Sequence, residues 1–213
     1  MFCVERFGAY RIDVRIIAGE FKGRQLLAPV GDATRPITDR AKQSLFDVLT
    51  PIITGAEVYD LFSGTGSLGL EALSRGAKLA SFFEIDRSAI ARLSQNLAAL
   101  QVSDRARIVP GDIFRWFDLS IRLPDSTHAS GADIVFLDPP YKFLQNRADE
   151  LLQLALNLTH SHLRPTSIVV FRHDGRDKLA LPNLEPIDVR EYGDMTIELL
   201  RPTSTGTHAD SAI

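Results

Sequence analysis

Residues 133–141 read Asp-Ile-Val-Phe-Leu-Asp-Pro-Pro-Tyr, an apolar run closed by a carboxylate, two prolines and an aromatic ring. A carboxylate there can accept or orient substrate hydrogens, and a ring can stack on a planar group. Ile134, Val135, Phe136 and Leu137 are too continuously apolar for a half-exposed strand, so they predict a strand covered on both faces, as in a parallel sheet. Asp138 then stands at its carboxyl end, where open α/β sheets bind ligands. Pro139 has no N–H and a fixed φ, so the ladder cannot continue. Pro140 extends the constraint and holds carbonyls and the Tyr141 ring in a preset direction. Asp138, Pro139, Pro140 and Tyr141 are the candidate catalytic residues.

A second constellation lies upstream. Gly64, Gly66 and Gly69 form a G-x-G-x-x-G pattern between an expected strand and helix, with Glu84 and Asp86 about twenty residues on. Glycines let a backbone approach a ligand, and a carboxylate after the next strand accepts from ribose hydroxyls. On its own the pattern also fits a nicotinamide dinucleotide. Asp60, just before the loop, argues otherwise, because a carboxylate repels a pyrophosphate but accepts a hydrogen bond from an ammonium group. S-adenosylmethionine carries such a group, a ribose for Glu84 and an adenine amine for Asp112, and no phosphate. Asp60, Ser63, Gly64, Thr65, Gly66, Glu84 and Asp112 are therefore the candidate cofactor-binding residues.

The elements that must position these groups follow from periodicity. Residues 14–29 read as a hairpin turning at Lys22-Gly23, and 31–38 as a loop. Thr38 is the expected N-cap of a helix carrying Ala41, Leu45, Val48 and Leu49, with Pro51 as its stop. Strands are expected at 57–62, 79–85, 106–109, 133–137 and 167–171. Helices are expected from the glycine loop to about 75, ended by Gly76, and at 87–100, 113–117 and 146–158. A closing hairpin spans 187–192 and 195–200 around Gly193-Asp194. This alternation predicts an α/β fold, a Rossmann-like doubly wound sheet ending in an antiparallel pair. Residues 120–131 are a polar loop without an assigned role, and the small polar tail from 203 is expected to be disordered. The domain reading is residues 1–50 as an extension with a hairpin and helix, 51–202 as the catalytic unit and 203–213 as tail.

The chain has 213 residues, 45% hydrophobic, with a net charge of -3. One principal core is expected, and no global positive field advertises a polyanion partner. Between Arg11 and Lys42, however, seven basic residues face four acidic ones. Cys3 is the single cysteine, which excludes an internal disulfide and a cysteine-based zinc site, and the five histidines lack ligand spacing, so no metal is expected. No apolar run is long enough to cross a bilayer, and a cytoplasmic monomer is the expectation.

Arg15-Ile16-Ile17-Ala18-Gly19-Glu20, Lys22-Gly23-Arg24, Arg35-Pro36 with Thr38-Asp39-Arg40, Asp60-Leu61-Phe62-Ser63-Gly64-Thr65-Gly66, Gly69-Leu70-Glu71-Ala72, Glu84-Ile85-Asp86 and Asp138-Pro139-Pro140-Tyr141 together resemble the RsmD family of 16S ribosomal RNA guanine-N2 methyltransferases. The resemblance spans roughly 15–200. It implies a class I methyltransferase fold, S-adenosylmethionine as donor and a guanine exocyclic amine in 16S ribosomal RNA as acceptor; the small recognition surface left to the chain suggests a base presented by a small-subunit particle. Under that reading Asp138 and the Pro139 carbonyl each accept one N–H of the amine, and Tyr141 stacks on the extruded base. Arg15, Lys22, Arg24, Arg35 and Arg40 are candidates for RNA phosphates. The family often carries a glutamate where this chain reads Phe171-Arg172-His173, and no role is assigned there. Family sequences tend to begin just before the Arg-Ile-Ile run, so Val14 is the expected true start and residues 1–13 an artefact. The same strand-end motif also serves adenine-N6 or cytosine-N4 methyltransferases acting on DNA or RNA. Two further alternatives are a dinucleotide-dependent oxidoreductase and a nucleic-acid-binding module with a vestigial donor site.

Overall fold

Strands apolar on both faces can only be satisfied between two layers of helices, and the chain builds that arrangement. The structure, a computed structural model, describes residues 14–29, 37–118 and 131–203. The expectations for residues 1–13, for Arg35, for most of the loop at 120–131 and for the tail beyond 203 lie outside those residues.

Seven strands form the central sheet: β3 (Glu57–Leu61), β4 (Leu79–Glu84), β5 (Ala106–Pro110), β6 (Ala132–Leu137), β7 (Leu163–Asp174), β8 (Leu184–Tyr192) and β9 (Met195–Pro202), in the order β5-β4-β3-β6-β7-β9-β8. The chain runs outward from β3 to β5, then returns to lay β6 beside β3, in register from Val58↔Ile134 to Leu61↔Leu137. Strand order therefore reverses between β3 and β6, which opens a crevice at their carboxyl ends. The strands β3 to β7 are parallel, whereas β9 runs antiparallel to both neighbours.

Thr38 caps α1 (Asp39–Ile53) by accepting the Ala41 N–H at 3.2 Å, as its type predicts. Pro51 does not stop this helix. It sits in the last turn, where one backbone bond is lost, while Leu49 and Ile53 stay buried on the core face and hold the turn in place. Next come α2 (Ser67–Ser74), α3 (Arg87–Leu100) and α4 (Ile113–Trp116), the latter two capped by the carboxylates of Asp86 and Asp112. The helix expected at 146–158 is α6 (Ala148–Ser161), and a short α5 (Phe143–Asn146) precedes it, separated by Arg147 at φ -137 ψ 30. Strand β7 outruns its expected five residues, since pairing with β9 continues from Val169↔Leu200 to Asp174↔Met195.

Successive residues of a strand face opposite sides, so Phe82 and Phe83 enter different cores. One core packs α1, α2 and α3 against the sheet through Leu45, Phe46, Leu70, Leu93 and Phe136. The other packs α6 through Leu151, Leu154 and Leu158 against Leu61, Leu137 and Phe171. The hairpin of β1 (Val14–Arg15) and β2 (Gln25–Leu26) joins the first core through Val14, Ile16 and Leu26. Glu71 of α2, fully buried, accepts the N–H groups of Ile17 and Ala18 at 2.8 and 3.0 Å and pairs with Arg75 Nε at 2.8 Å. Gly19 (φ +82) allows the tight approach beyond it, because a Cβ there would lie 1.9 Å from the Ser74 carbonyl oxygen. The N-terminal unit is thus fastened to the helix that follows the glycine loop. Among the described residues no helix is long and apolar enough to cross a membrane.

Candidate active site

The turn from β3 into α2 begins with Phe62 at φ 60 and passes through Gly66 at φ 85, backbone that favours glycine or a strained residue. Gly69 stands in the first turn of α2, where a Cβ would lie 2.3 Å from the Phe82 ring. That close packing lets the Gly69 N–H reach Asp60 Oδ2 at 2.9 Å. Asp60 is buried directly beneath the loop. Burial pushes its carboxyl well above the ordinary carboxylate range, against the pull of the Gly69 N–H, and the charges of Asp138 and Glu84 push the same way.

Glu84, at the end of β4, accepts three backbone N–H groups: Gly64 at 2.7 Å on Oε2, and Ile85 and Asp86 at 2.8 Å each on Oε1. Asp112 spends one oxygen on its own helix, accepting from Phe114 N–H at 3.0 Å. Above that cap Phe62, Phe114 and Phe143 meet with ring centres 5.8 to 6.2 Å apart, and the Arg147 guanidinium lies 4.2 Å from the Phe114 ring centre.

A cavity of about 670 Å³ opens at the switch point. Its walls bring together Asp60, Ser63, Gly64 and Thr65 on one side and Asp138, Pro139, Pro140 and Tyr141 on the other. Gly66, Glu84 and Asp112 are not in the walls, and Glu84 touches the site through the Gly64 backbone. Val14, Pro29 and Ile37 complete the rim, so the N-terminal unit forms one side of the entrance.

Arg172, to which sequence reasoning assigned no role, is a wall residue. Its Nε and Nη2 donate to Asp138 Oδ1 and Oδ2 at 2.6 and 2.7 Å, a two-pronged pair with side chains 8% and 17% exposed. Its Nη1 lies 3.7 Å from Met195 Sδ, and its guanidinium carbon is 6.0 Å from the Tyr141 ring centre. Burial would lower this guanidinium, but the Asp138 charge and its hydrogen bonds hold it above its usual value. The signal was available: a cation directly after the buried Val169-Val170-Phe171 run demands a buried partner. Asp174 and Arg176 also line the cavity, paired through Nη2 and Oδ2 at 2.6 Å, and were equally missed.

The proposed phosphate contacts divide. Arg15 pairs with Asp39 at 2.7 Å, and Arg24 donates to the Ala99 carbonyl at 2.8 Å. Lys22 and Arg40 are exposed, and among the described residues neither is engaged in a salt bridge. Among the described residues no group of three or more His, Cys, Asp or Glu could hold a metal ion.

Comparison with known proteins agrees with this geometry. The family described as Conserved hypothetical protein 95 matches residues 14–201. Ribosomal RNA small subunit methyltransferase D of Haemophilus influenzae is 35% identical over 170 residues, 80% of this chain and 83% of that protein. A solved structure of the candidate methyltransferase yhhF from Escherichia coli superposes with a TM-score of 0.72 at 29% identity, covering 89% of this chain and 98% of that one. A candidate S-adenosylmethionine-dependent methyltransferase from Streptococcus mutans shares the fold at a TM-score of 0.62 and 14% identity, over 78% of this chain and 49% of that one. The doubly wound sheet with its antiparallel β9 is the class I methyltransferase fold, and the chain belongs to the family of Conserved hypothetical protein 95, the RsmD family.

Proposed function

We propose that this protein transfers a methyl group from S-adenosylmethionine to the exocyclic N2 amine of a guanine in small-subunit ribosomal RNA. The observation that carries the reading is one cavity in which the glycine loop with Asp60 faces Asp138-Pro139-Pro140-Tyr141 across the switch point. Family membership supports the choice of ribosomal RNA and of guanine over the adenine-N6 and cytosine-N4 reactions that a similar strand end could serve.

The residues fit the donor. Asp60 is a buried carboxyl whose Oδ2 accepts the Gly69 N–H, suited to accept also from an ammonium group, which would draw it to the ionised form. Glu84 keeps lone-pair capacity for a ribose hydroxyl after accepting three N–H groups, since a carboxylate offers about four acceptor sites. Asp112 has an oxygen beyond its helix cap for an adenine amine. When bound, the sulfonium supplies an electrophilic methyl group.

A guanine N2 amine is a poor nucleophile, because its lone pair is delocalised into the ring. Asp138 and the Pro139 carbonyl, each accepting one N–H, favour a pyramidal nitrogen whose lone pair is aimed at the donor side of the cavity. Positioning of this kind can recover roughly 7–11 kcal/mol of a barrier. The methylated nitrogen is acidic and releases its proton to Asp138 or to water. Tyr141 stacks on the extruded base, worth about 1–3 kcal/mol against the cost of unstacking.

Lys22 and Arg40, with Arg15, Arg24 and Arg35, contact RNA phosphates from the unit formed by residues 1–50, while 51–202 form the catalytic unit. An enzyme with so little recognition surface is suited to a base presented by an assembled small-subunit particle. It works as a monomer in the cytoplasm. Incubation with labelled donor and, in parallel, small-subunit particles, free 16S RNA and DNA tests the reading. Label is expected in the ribosomal RNA, most from particles, and label confined to DNA would overturn it.

A further inference from the structure

We propose that Arg172 is a positioning residue for methyl transfer, locking the plane of the Asp138 carboxylate so that only its outward lone pairs face the target amine. The inference rests on Asp138 being the acceptor of an amine N–H. A carboxylate turns broadly about its last side-chain torsion, and the rigid backbone of Pro139 and Pro140 does nothing to restrict that rotation. The guanidinium does. Two parallel hydrogen bonds of 2.6 and 2.7 Å fix both oxygens at once, a geometry that a single-point ammonium cannot reproduce.

Arg172 is itself held. It follows Phe171, which pairs in register with Leu137, so Arg172 and Asp138 extend from adjacent parallel strands at the same level. Met195 lies against its third nitrogen, and only 6% of the residue is exposed. Asp138 keeps 17% of its side chain open, and it lines the cavity. One side of the carboxylate is thus spent on the strand next door, and the other is left for the substrate.

Steady-state methyl transfer to small-subunit particles by Arg172→Lys and Arg172→Met, with S-adenosylhomocysteine affinity from calorimetry, tests this. Lysine keeps charge without the two-pronged grip, so kcat is expected to fall about 10-fold in Arg172→Lys and about 100-fold or more in Arg172→Met, on the scale that misplacement of a reacting group costs. Product affinity is expected to stay within about twofold, since Arg172 touches the acceptor side. Should Arg172→Met fail to fold, Arg172→Lys in the Asp138→Asn background decides: single-turnover transfer there is expected to match Asp138→Asn alone, because the carboxylate to be oriented is gone. A kcat for the Arg172 variants within about threefold of the wild type, or an undiminished extra loss in the Asp138→Asn background, overturns the proposal. Wild-type protein that transfers no methyl group to any RNA overturns the functional reading along with it, whereas active wild type with unaffected Arg172 variants overturns this inference alone.

Discussion

The backbone N–H of Gly64 donates to Glu84 Oε2 at 2.7 Å, joining the loop after β3 to the carboxylate after β4. The two motifs separated by twenty residues in sequence are one structural unit. Glu84 therefore both shapes the loop and offers a lone pair to a ligand. Glu84→Gln leaves a single acceptor oxygen for the N–H groups of Gly64, Ile85 and Asp86. Hydrogen bonds to a charged group are worth about 1.5–3 kcal/mol, so donor affinity is expected to weaken roughly 10- to 100-fold, with kcat at saturating donor little changed. Calorimetric titration with S-adenosylhomocysteine reads the first effect and initial rates the second.

Asp138 and Tyr141 stand on the other wall, so their variants should divide binding from chemistry. Asp138→Ala is expected to abolish transfer and keep donor affinity. Tyr141→Phe keeps the stacking ring and most of the activity, whereas Tyr141→Ala loses about 5- to 100-fold in kcat/KM, the value of one base stack. Equal losses in the two tyrosine variants would contradict a stacking role.

Asp60 makes the fold's stability depend on pH. Burial raises its folded pKa above the unfolded value, so its contribution is fully present below the ordinary carboxylate value and is lost as pH rises through the folded one, where the unfolded chain ionises first. Asp60→Asn keeps an oxygen for the Gly69 N–H and removes that neutral-pH cost. The variant should melt above the wild type near neutral pH, and the gap should close as pH falls toward about 4. A gap that does not vary with pH would show that ionisation of Asp60 has no part in stability.

The basic residues of the N-terminal unit are separable by their partners. Charge reversal at Lys22 or Arg40 is expected to reduce the slope of log K for RNA against log salt by about 1 each. Reversal at Arg15 should do less, since its guanidinium is engaged by Asp39 at 2.7 Å. Filter binding of small-subunit RNA across a salt series measures all three.

Features written in local backbone chemistry were legible in the sequence. The glycine loop, the Thr38 cap, the limits of α3 and the strand end at Asp138 follow from residue type and period within a few positions. Features settled by distant partners were not. Arg172 could be read only as a cation in need of a buried partner; that the partner is Asp138, 34 residues away, depends on a strand register that no local pattern encodes. The break between α5 and α6 falls at Arg147, which is neither glycine nor proline and pairs with Glu150 at 2.6 Å. Pro51 misled in the opposite direction, because a local helix breaker was outweighed by burial of Ile53. Glu84 and Asp112 were readable as carboxylates after strands, while their bonds to the backbone depend on where the turns fold.

The most direct measurement is nucleoside analysis by mass spectrometry of 16S RNA, recovered from particles treated with the protein and S-adenosylmethionine. N2-methylguanosine at one position, formed by the wild type and missing with Asp138→Ala, is the predicted result. N6-methyladenosine or N4-methylcytidine in its place would contradict the assignment of a guanine amine to the Asp138 site.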